Sequence, residues 1–423
     1  MQKADALVSA LLVWFAASAR DLPWRRTRDP YAIWVSEIML QQTQVKTVIP
    51  FWERWLRELP TIEAAANASS DKLHKLWEGL GYYTRVRNLQ KAAQLIVAQH
   101  GGKFPQRFDD VLALPGIGRY TAGAICSIAF NQPTPLLDGN VIRVLTRIFG
   151  IAENPKDKET NARLWKLASE LVINAEKHPL IRSSRRAEAL TNLANPDGSG
   201  QILARSSTPS PRPSGERAGC EADVRLRGFE PNTPDGSQSL FTPVPTMAGN
   251  CSALNQSLME LGALVCTPRN PQCLICPVKK LCMACGEGRV DELPNLGERQ
   301  QATARRFMAF VIERDGKFLV RQRPVGVVNA HLWEFPNVEL NGGKVHAKKI
   351  FETEFGFAPA AISPLTMIKH SITRYRITVE AFKLNLGKAA FSKNGAIWKT
   401  PAQMQALAFT SAHRKILRAG TGG

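Results

Sequence analysis

The 423-residue sequence has no unbroken run of about 18 apolar residues, the length that a membrane-spanning helix needs. It is also poor in acidic residues, with 36 Asp and Glu against 55 Lys and Arg and a formal net charge of +19. The first absence predicts that no helix crosses a membrane. The second favours a polyanionic partner, nucleic acid before an anionic membrane surface.

Cysteine is scarce along most of the chain, because five of the eight residues crowd into one short segment that ends at Cys285. This distribution is unlike a disulfide framework and favours a metal centre in a reducing compartment, which predicts a cytoplasmic protein. Four cysteines follow the spacing C-x6-C-x2-C-x5-C, which suits a [4Fe–4S] cluster or a structural zinc ion. Zinc is the weaker alternative because it usually takes two C-x2-C pairs. The four candidate ligands are Cys266, Cys273, Cys276 and Cys282.

The N-terminal segment allows two interpretations. Residues 6–19 are apolar and end in Ala17-Ser18-Ala19, which has the form of a signal-peptidase site. The same residues predict an amphipathic first helix, with Leu7, Leu11 and Trp14 on one face. The clustered cysteines favour the helix.

The composition and the hydrophobic periodicity change several times along the sequence. Helical periodicity runs from residue 5 to about 180, and a Pro-, Ser- and Gly-rich stretch then predicts an irregular or disordered insertion. Helical spacing resumes at Ser252–Val265, and a strand-like period begins near Arg305, with a predicted hairpin at Asp315-Gly316. With 44% hydrophobic residues, the chain can bury ordinary cores, so complete disorder is excluded. The predicted units are a helical core at 1–181, the insertion at 182–249, a cluster domain at 250–290, a linker at 291–304 and an α+β domain at 305–420.

A glycine-bearing turn, Leu114–Ala122, joins two predicted helices. Gly116 and Gly118 let the backbone turn sharply, so that the N–H groups of the following helix can receive an anion such as a DNA phosphate. An interhelical turn without a ligand is the alternative. Arg119 and the basic composition favour phosphate binding.

Two carboxylates are candidates for catalysis. Glu37 lies in the apolar segment Ile33–Leu40, so it is either on an exposed helix face or desolvated. If it is desolvated, its pKa rises and it can act as a general acid. Asp138 precedes a predicted helix, where capping competes with a catalytic role.

Taken together, these motifs resemble the MutY-type adenine DNA glycosylases of the helix-hairpin-helix superfamily. The resemblance implies a multidomain protein, with an all-α helix-hairpin-helix glycosylase core, a [4Fe–4S] loop and an α+β Nudix or MutT-like C-terminal domain. The matching segments are Asp29-Pro-Tyr, residues 36–45, residues 77–85, residues 114–122, residues 137–141 and the four cysteines.

The resemblance implies a base-excision repair enzyme that releases adenine mispaired with 8-oxoguanine or G in duplex DNA. It implies that Glu37 protonates adenine N7 and that Asp138 stabilises the cationic sugar, as two carboxylates do in glycoside hydrolysis. Tyr120 and Asn140 would line the pocket, with Tyr120 bonding near the sugar or Asp138. Gln41, Gln42 and Tyr82 would contact DNA, the last two as wedges in the base stack. We expect a monomer in the bacterial cytoplasm, associated with the nucleoid and not with a membrane.

Two alternatives remain. Endonuclease III-like enzymes act on oxidised pyrimidines and carry a Schiff-base lysine where this chain has Tyr120, and they lack a match to Glu37. Tyr120 therefore argues for a monofunctional glycosylase without efficient lyase activity. The second alternative is a non-catalytic iron–sulfur protein that binds DNA.

The C-terminal domain matches the MutT-like domain that reads 8-oxoguanine through residues 316–324 and 332–336. Residues 348–356 lack the glutamate-rich helix that holds Mg²⁺ in Nudix hydrolases, so we predict no nucleotide hydrolysis. In the lesion-reading loop after His370, Thr373 keeps a hydroxyl and Arg374 replaces the family's histidine. Residues 300–423 carry 19 basic and 7 acidic side chains, which predicts a DNA-holding module.

Overall fold

The computed structural model describes residues 2–179, 249–298, 301–340, 346–372, 374–386 and 395–420. The predicted insertion, 182–249, lies outside these residues except for its last position. Among the described residues, no helix is long and apolar enough to cross a membrane.

The first helical layer is built around buried tryptophans. Trp34, Trp55 and Trp77 are fully buried in one core, where Trp55 and Trp77 pack edge to face with ring centroids 5.7 Å apart. Aromatic pairs of this geometry add stability beyond the area they bury. The helices of this layer are α2 Pro30–Leu40, α3 Val45–Glu58, α4 Ile62–Asn67, α5 Ser70–Trp77, α6 Thr84–His100, α7 Phe108–Leu112 and α8 Arg119–Phe130.

The second helical layer joins the N-terminus to the cysteine segment. Leu7 and Leu11 are fully buried and Trp14 nearly so, as the amphipathic interpretation of the first helix predicts, and they pack with Leu254 and Leu258. The helices are α1 Gln2–Ser18, α9 Gly139–Phe149, α10 Lys158–Lys177, α11 Asn250–Leu264 and α12 Met283–Gly286. Short 3₁₀ turns at Cys273–Ile275 and Lys279–Leu281 shape the segment between α11 and α12.

Helix α2 ends earlier than its apolar spacing predicts. Helical spacing continues to Val45, but the helix stops at Leu40, and Gln42 takes a left-handed backbone conformation with φ +56°. The Arg85 guanidinium satisfies the carbonyl groups at this end, because Nη1 donates to the oxygens of Ile38, Met39 and Gln41 at 2.6–3.0 Å. A distant side chain therefore replaces the next helical turn.

The C-terminal part is a mixed sheet covered by helices, as predicted for an α+β domain. The predicted hairpin at Asp315-Gly316 joins β1 and β2, and β1 pairs in parallel with β6. The principal order is β3-β2-β1-β6-β5, with β4 also on β1 and β7 on β2. The strands are β1 Thr303–Arg314, β2 Lys317–Gln322, β3 Trp333–Glu334, β4 Asn337–Leu340, β5 Ser363–Ile372, β6 Tyr375–Asn385 and β7 Ala396–Lys399. The helices are α13 Ala347–Phe355, α14 Pro401–Gln405 and α15 Ser411–Gly420.

Glu78 joins the helical part to the sheet domain. Its Oε1 accepts a hydrogen bond from the Phe409 backbone N–H at 3.0 Å and pairs with Arg414 at 3.3 Å. Its Oε2 pairs with Lys75 at 2.9 Å, and Lys75 also donates to the carbonyl oxygen of Leu407 at 3.2 Å. One carboxylate thus holds cations from both parts of the chain.

We expect Glu78→Ala to loosen this junction. The substitution leaves a half-buried Arg414 and the Phe409 N–H without their acceptor, a loss of about 1–3 kcal/mol. Thermal unfolding should resolve an earlier transition for the sheet domain, whereas Glu53→Ala on the exposed face of α3 should change nothing. A single unshifted transition would contradict the role given to Glu78.

Candidate active site

A deep pocket of about 650 Å³ opens between the two helical layers. This volume accommodates a nucleobase with its sugar. Its walls come from the start of the chain, α2 and the following turn, the N-terminal turns of α8 and α9, and α11. The lining includes Arg20, Trp24, Arg25, Glu37, Gln41, Gln42, Gly118, Tyr120, Asp138, Asn140, Gln256, Met259 and Glu260.

Glu37 lies on the pocket-facing side of α2 and is only 5% exposed. The pKa of Glu37 is raised to about 7, mainly by burial and also by the nearby Asp138, against the opposing effects of Tyr120 and Arg25. The sequence left open whether this carboxyl is solvated or desolvated, and the structure shows that it is desolvated. A carboxyl with this pKa is substantially protonated at neutral pH, as a general acid must be.

Tyr120 sits in the first turn of α8 and donates its hydroxyl proton to Glu37 Oε2 at 2.8 Å. The hydroxyl also lies 3.5 Å from Met259 Sδ. The family resemblance implies a hydrogen bond from this hydroxyl near the sugar or Asp138. In the structure the hydroxyl bonds to Glu37. Tyr120 therefore fixes the orientation of the Glu37 carboxyl. The pKa of Tyr120 is well above the usual value because of burial and the nearby carboxylates.

Asp138 is the N-cap of α9 and also a wall of the pocket. Its Oδ1 accepts from the Val141 backbone N–H at 2.7 Å, and its Oδ2 accepts from Asn140 Nδ2 at 2.9 Å. Burial raises the pKa of Asp138, while these two donors and Arg143 oppose that rise. Both oxygens accept hydrogen bonds, which suits an ionised carboxylate. Capping and a pocket role thus coexist at this residue.

Helix α9 carries this arrangement to the cysteine segment. Arg143 Nη2 donates to Asn140 Oδ1 at 2.9 Å and to the Gly262 carbonyl oxygen at 2.7 Å. Arg143 Nε donates to the carbonyl oxygen of Cys266 at 2.7 Å. Arg143, which holds the Asn140 side chain that donates to Asp138, is therefore itself held by α11 and by the first candidate cluster ligand.

A glycine is required where α11 meets Asn140. A Cβ atom built on Gly262 would lie 2.7 Å from Asn140 Cβ and 3.0 Å from its carbonyl oxygen. We expect Gly262→Ala to displace Asn140 from Asp138, lowering the glycosylase rate about tenfold and the stability by about 1–3 kcal/mol. Single-turnover kinetics and thermal unfolding measure both effects. Gly286→Ala is the control because a Cβ there meets no atom within 4 Å, and equal behaviour of the two variants would contradict the close-packing argument.

The glycine-bearing turn joins α7 to α8, as predicted. Gly116 has φ +78°, and a Cβ atom there would lie 2.6 Å from Asn88 Cβ, so both conformation and space require glycine. Gly118 is the N-cap of α8. The Arg119 guanidinium lies 3.9 Å from the ring centroid of Trp165, which orients it beside this helix N-terminus.

The candidate wedge residues lie on two neighbouring turns. Gln41 Nε2 donates to Thr121 Oγ1 at 3.4 Å, and both Gln41 and Gln42 line the pocket. Tyr82 has φ +48° and is 39% exposed, so it is not a core aromatic.

The four predicted cysteine ligands line one small cavity between α9, α11 and α12. The pKa of the Cys276 thiol is raised to about 12, mainly by burial and also by the neighbouring sulfurs of Cys266, Cys282 and Cys273. Thiolates in this arrangement therefore require a cationic centre among them. Arg147 Nη1 donates to Cys266 Sγ at 3.3 Å, the type of hydrogen bond that tunes a cluster. The residues fit a cluster, and the spare Cys285 lies beside Cys273.

The loop predicted to read the lesion lies partly within the described residues. Thr373 lies outside the described residues. Arg374 is exposed, with its Nη2 3.1 Å from the Tyr375 hydroxyl oxygen and its guanidinium 5.2 Å from the ring centroid. His370 Nδ1 is buried and has no hydrogen-bond partner among the residues that the structure describes.

Two arginines at the pocket wall, Arg20 and Arg25, were not among the site residues predicted from the sequence. Glu260, 1% exposed, pairs with Arg20 at 2.7 Å and with Arg25 at 3.0 Å. Burial alone would raise the pKa of Glu260, but these hydrogen bonds lower it to about 2. A lone glutamate in the apolar segment Ser252–Val265 was the available signal, since a charge there must be paired.

Comparison with known proteins agrees with this architecture. The model of the HhH-GPD superfamily of base excision DNA repair proteins matches residues 35–170. The NUDIX domain model matches residues 307–419, and that of the iron–sulfur binding domain of endonuclease III matches residues 266–282. Fold and site together define a helix-hairpin-helix DNA glycosylase with an iron–sulfur loop and a Nudix domain.

Several individual proteins are similar to this chain. Adenine DNA glycosylase from Rattus norvegicus is 31% identical, over 96% of this chain and 76% of the relative. The Homo sapiens protein of the same name is 30% identical, over 99% and 74%. A solved thermostable thymine-DNA glycosylase is 24% identical, covering 68% of this chain and 98% of its own, with a TM-score of 0.47.

The chain belongs to the adenine DNA glycosylase family. The predicted family, fold class and [4Fe–4S] cofactor are therefore confirmed, as is the prediction of an adenine DNA glycosylase acting on DNA.

Proposed function

We propose that this enzyme releases adenine paired with 8-oxoguanine or guanine in duplex DNA, as a monofunctional glycosylase without efficient lyase activity. The observation that carries the proposal is the pairing, in one pocket, of a desolvated Glu37 with a hydrogen-bonded Asp138. These are the neutral and the ionised carboxyl that glycosidic bond cleavage needs.

In the proposed reaction, Glu37 transfers its proton to N7 of the extruded adenine. The C1′–N9 bond then breaks, its electron pair leaves with the protonated base, and positive charge develops on the sugar. Asp138 stabilises this charge by proximity. Water adds to C1′ and releases a proton, so that the overall reaction is hydrolysis. Tyr120 holds Glu37 through its hydrogen bond to Oε2.

The pocket wall supports binding of a nucleotide. Glu260 fixes Arg20 and Arg25, so positive charge remains beside a cavity that must admit a nucleotide with its phosphates. Asn140 acts on Asp138 through its amide and on Arg143 through its carbonyl oxygen.

In the DNA complex we propose three further contact regions. Gly116, Gly118 and Arg119 bind a backbone phosphate at the start of α8. Gln41, Gln42 and Tyr82 fill the space that the extruded base leaves. Thr373 and Arg374 contact the opposite 8-oxoguanine, supported by the strong positive charge of residues 300–423.

The four cysteines Cys266, Cys273, Cys276 and Cys282 hold the cluster. When bound, the cluster fixes the loop between α11 and α12 and provides an iron centre able to exchange electrons. The protein's own contribution is positional, because Arg143 links the Cys266 carbonyl oxygen to Asn140 and so to Asp138.

We also propose that the enzyme acts as a monomer in the bacterial cytoplasm, associated with the nucleoid. We propose the domain division 1–181, 182–249, 250–290, 291–304 and 305–420, with the N-terminal helix belonging to the cluster domain. The packing of Leu7 and Leu11 against Leu254 and Leu258 supports that assignment of the first helix, and the sheet supports the last unit.

Chromatographic detection of free adenine tests the proposal. We expect release from duplexes with A opposite 8-oxoguanine or G, and little from those with A opposite T, since extrusion costs less at a mismatch. No release by protein that retains its cluster absorption would overturn it. Strand cleavage, with an enzyme–DNA Schiff base that borohydride reduces to a covalent adduct, would instead favour the endonuclease III-like alternative, which Tyr120 opposes.

A further inference from the structure

One half-buried arginine, Arg85, lies beneath both turns that carry the candidate wedge residues. Its Nη1 donates to the carbonyl oxygens of Ile38, Met39 and Gln41 at 2.6–3.0 Å. Its Nη2 donates to the carbonyl oxygens of Leu80 and Gly81 at 3.0 and 3.1 Å. A single guanidinium thus holds the backbone of the turn at Gln42, which lines the pocket, and that of the turn at Tyr82.

Both turns have unfavourable backbone conformations. Gln42 has φ +56° and Tyr82 has φ +48°, values that side-chain-bearing residues seldom adopt. Such conformations persist only where the surroundings impose them. Two of the carbonyl groups that Arg85 binds, those of Gln41 and Gly81, belong to the residues directly before Gln42 and Tyr82. Arg85 therefore acts at the two positions where the chain must be restrained.

Arg85 also contacts the wedge aromatic directly. Its guanidinium carbon lies 5.5 Å from the Tyr82 ring centroid and 5.4 Å from that of Trp77, which is fully buried. Trp77 supports the guanidinium from the core, and the guanidinium supports Tyr82. The Tyr82 ring, the candidate wedge, is therefore supported by Arg85 and, through it, by the buried Trp77.

We propose that Arg85 is a positioning residue that couples the Gln42 turn to the Tyr82 turn, so that both wedges enter the DNA as one preformed unit. Arginine is required because only a planar guanidinium has enough donors to reach carbonyls on two segments at once. A lysine keeps the charge but is a point donor. This inference rests on the proposed function, since it assigns a role in base extrusion.

The test uses Arg85→Lys and measures extrusion separately from chemistry. In a Glu37→Gln background, a duplex with 2-aminopurine in place of the target adenine, opposite 8-oxoguanine, reports extrusion by its fluorescence. We expect Arg85→Lys to reduce the fluorescence rise at least fivefold. In the Glu37-containing protein, the single-turnover rate should fall about 10²-fold, as a small misplacement of positioning groups produces.

A double-mutant cycle separates positioning from a general loss of structure. If Arg85 acts through the Tyr82 turn, Arg85→Lys should cost much less in a Tyr82→Ala background than in the wild type. Arg54→Lys is the matched control, because Arg54 is also half-buried and, within the described part of the chain, donates to a single carbonyl, that of Leu76 at 2.8 Å. It should leave extrusion and rate within twofold of the wild type.

Three results would overturn the inference. Extrusion within twofold of wild type in Arg85→Lys would show that the turns need no guanidinium. Equal losses in the wild-type and Tyr82→Ala backgrounds would show that Arg85 acts elsewhere, even if the protein unfolds at a lower temperature. If the Glu37→Gln parent itself fails to extrude the base from any mismatch, the proposed function is contradicted, and this inference with it.

Discussion

Glu37→Gln is expected to abolish adenine release while leaving binding to a mismatched duplex unchanged. Glutamine has nearly the same volume and can still accept the hydrogen bond from the Tyr120 hydroxyl, so the pocket keeps its shape. It cannot deliver a proton to the base. Loss of a general acid costs about 10²–10⁴ in rate, and adenine is a poor leaving group without protonation, so we expect the upper end of this range.

Single-turnover release of adenine and a binding titration with the same duplex measure the two effects. Glu53→Gln removes a negative charge from an exposed position on α3 and should behave as the wild type. A Glu37→Gln variant that still releases adenine at the wild-type rate would remove Glu37 from the chemistry.

Asp138→Asn is expected to reduce the rate by about 10²–10³-fold, the usual loss when one group that stabilises transition-state charge is removed. Asparagine caps helices as well as aspartate does, so the N-cap of α9 should survive and the protein should remain folded. The variant loses the negative charge beside the sugar, together with the oxygen that accepts from Asn140 Nδ2. Single-turnover kinetics with parallel thermal unfolding separates the two contributions.

Asp29→Asn provides the matched control for Asp138. Asp29 caps α2 through the backbone N–H groups of Tyr31 and Ala32 but is not part of the pocket lining. It should preserve activity with a small effect on stability. Similar rate losses in Asp29→Asn and Asp138→Asn would reduce the Asp138 effect to capping.

Much of the architecture was predictable because it depends on local patterns. The spacing of the four cysteines indicated the cluster, the paired glycines indicated the turn before α8, and Asp315-Gly316 indicated the first hairpin of the sheet. The early end of α2 was not predictable from its own residues. It depends on Arg85, which lies more than 40 positions further along the chain.

The chemistry of the site was less accessible from the sequence. Pattern alone could not decide whether Glu37 is solvated, because that depends on how α8 and α11 close over α2. The bond from Tyr120 to Glu37 and the pairing of Glu260 with Arg20 and Arg25 join segments 83 to 240 residues apart. Contacts of this kind leave no periodic signal, so only the folded structure shows them.

The pH dependence of single-turnover adenine release tests the central claim most directly. The pKa of Glu37 is raised to about 7, so the acid is protonated below that pH and is lost as pH rises through it. We predict an alkaline decline in rate near pH 7, and an acidic decline where Asp138 becomes protonated. A rate that stays constant from pH 6 to about 9 would contradict an acid with this pKa.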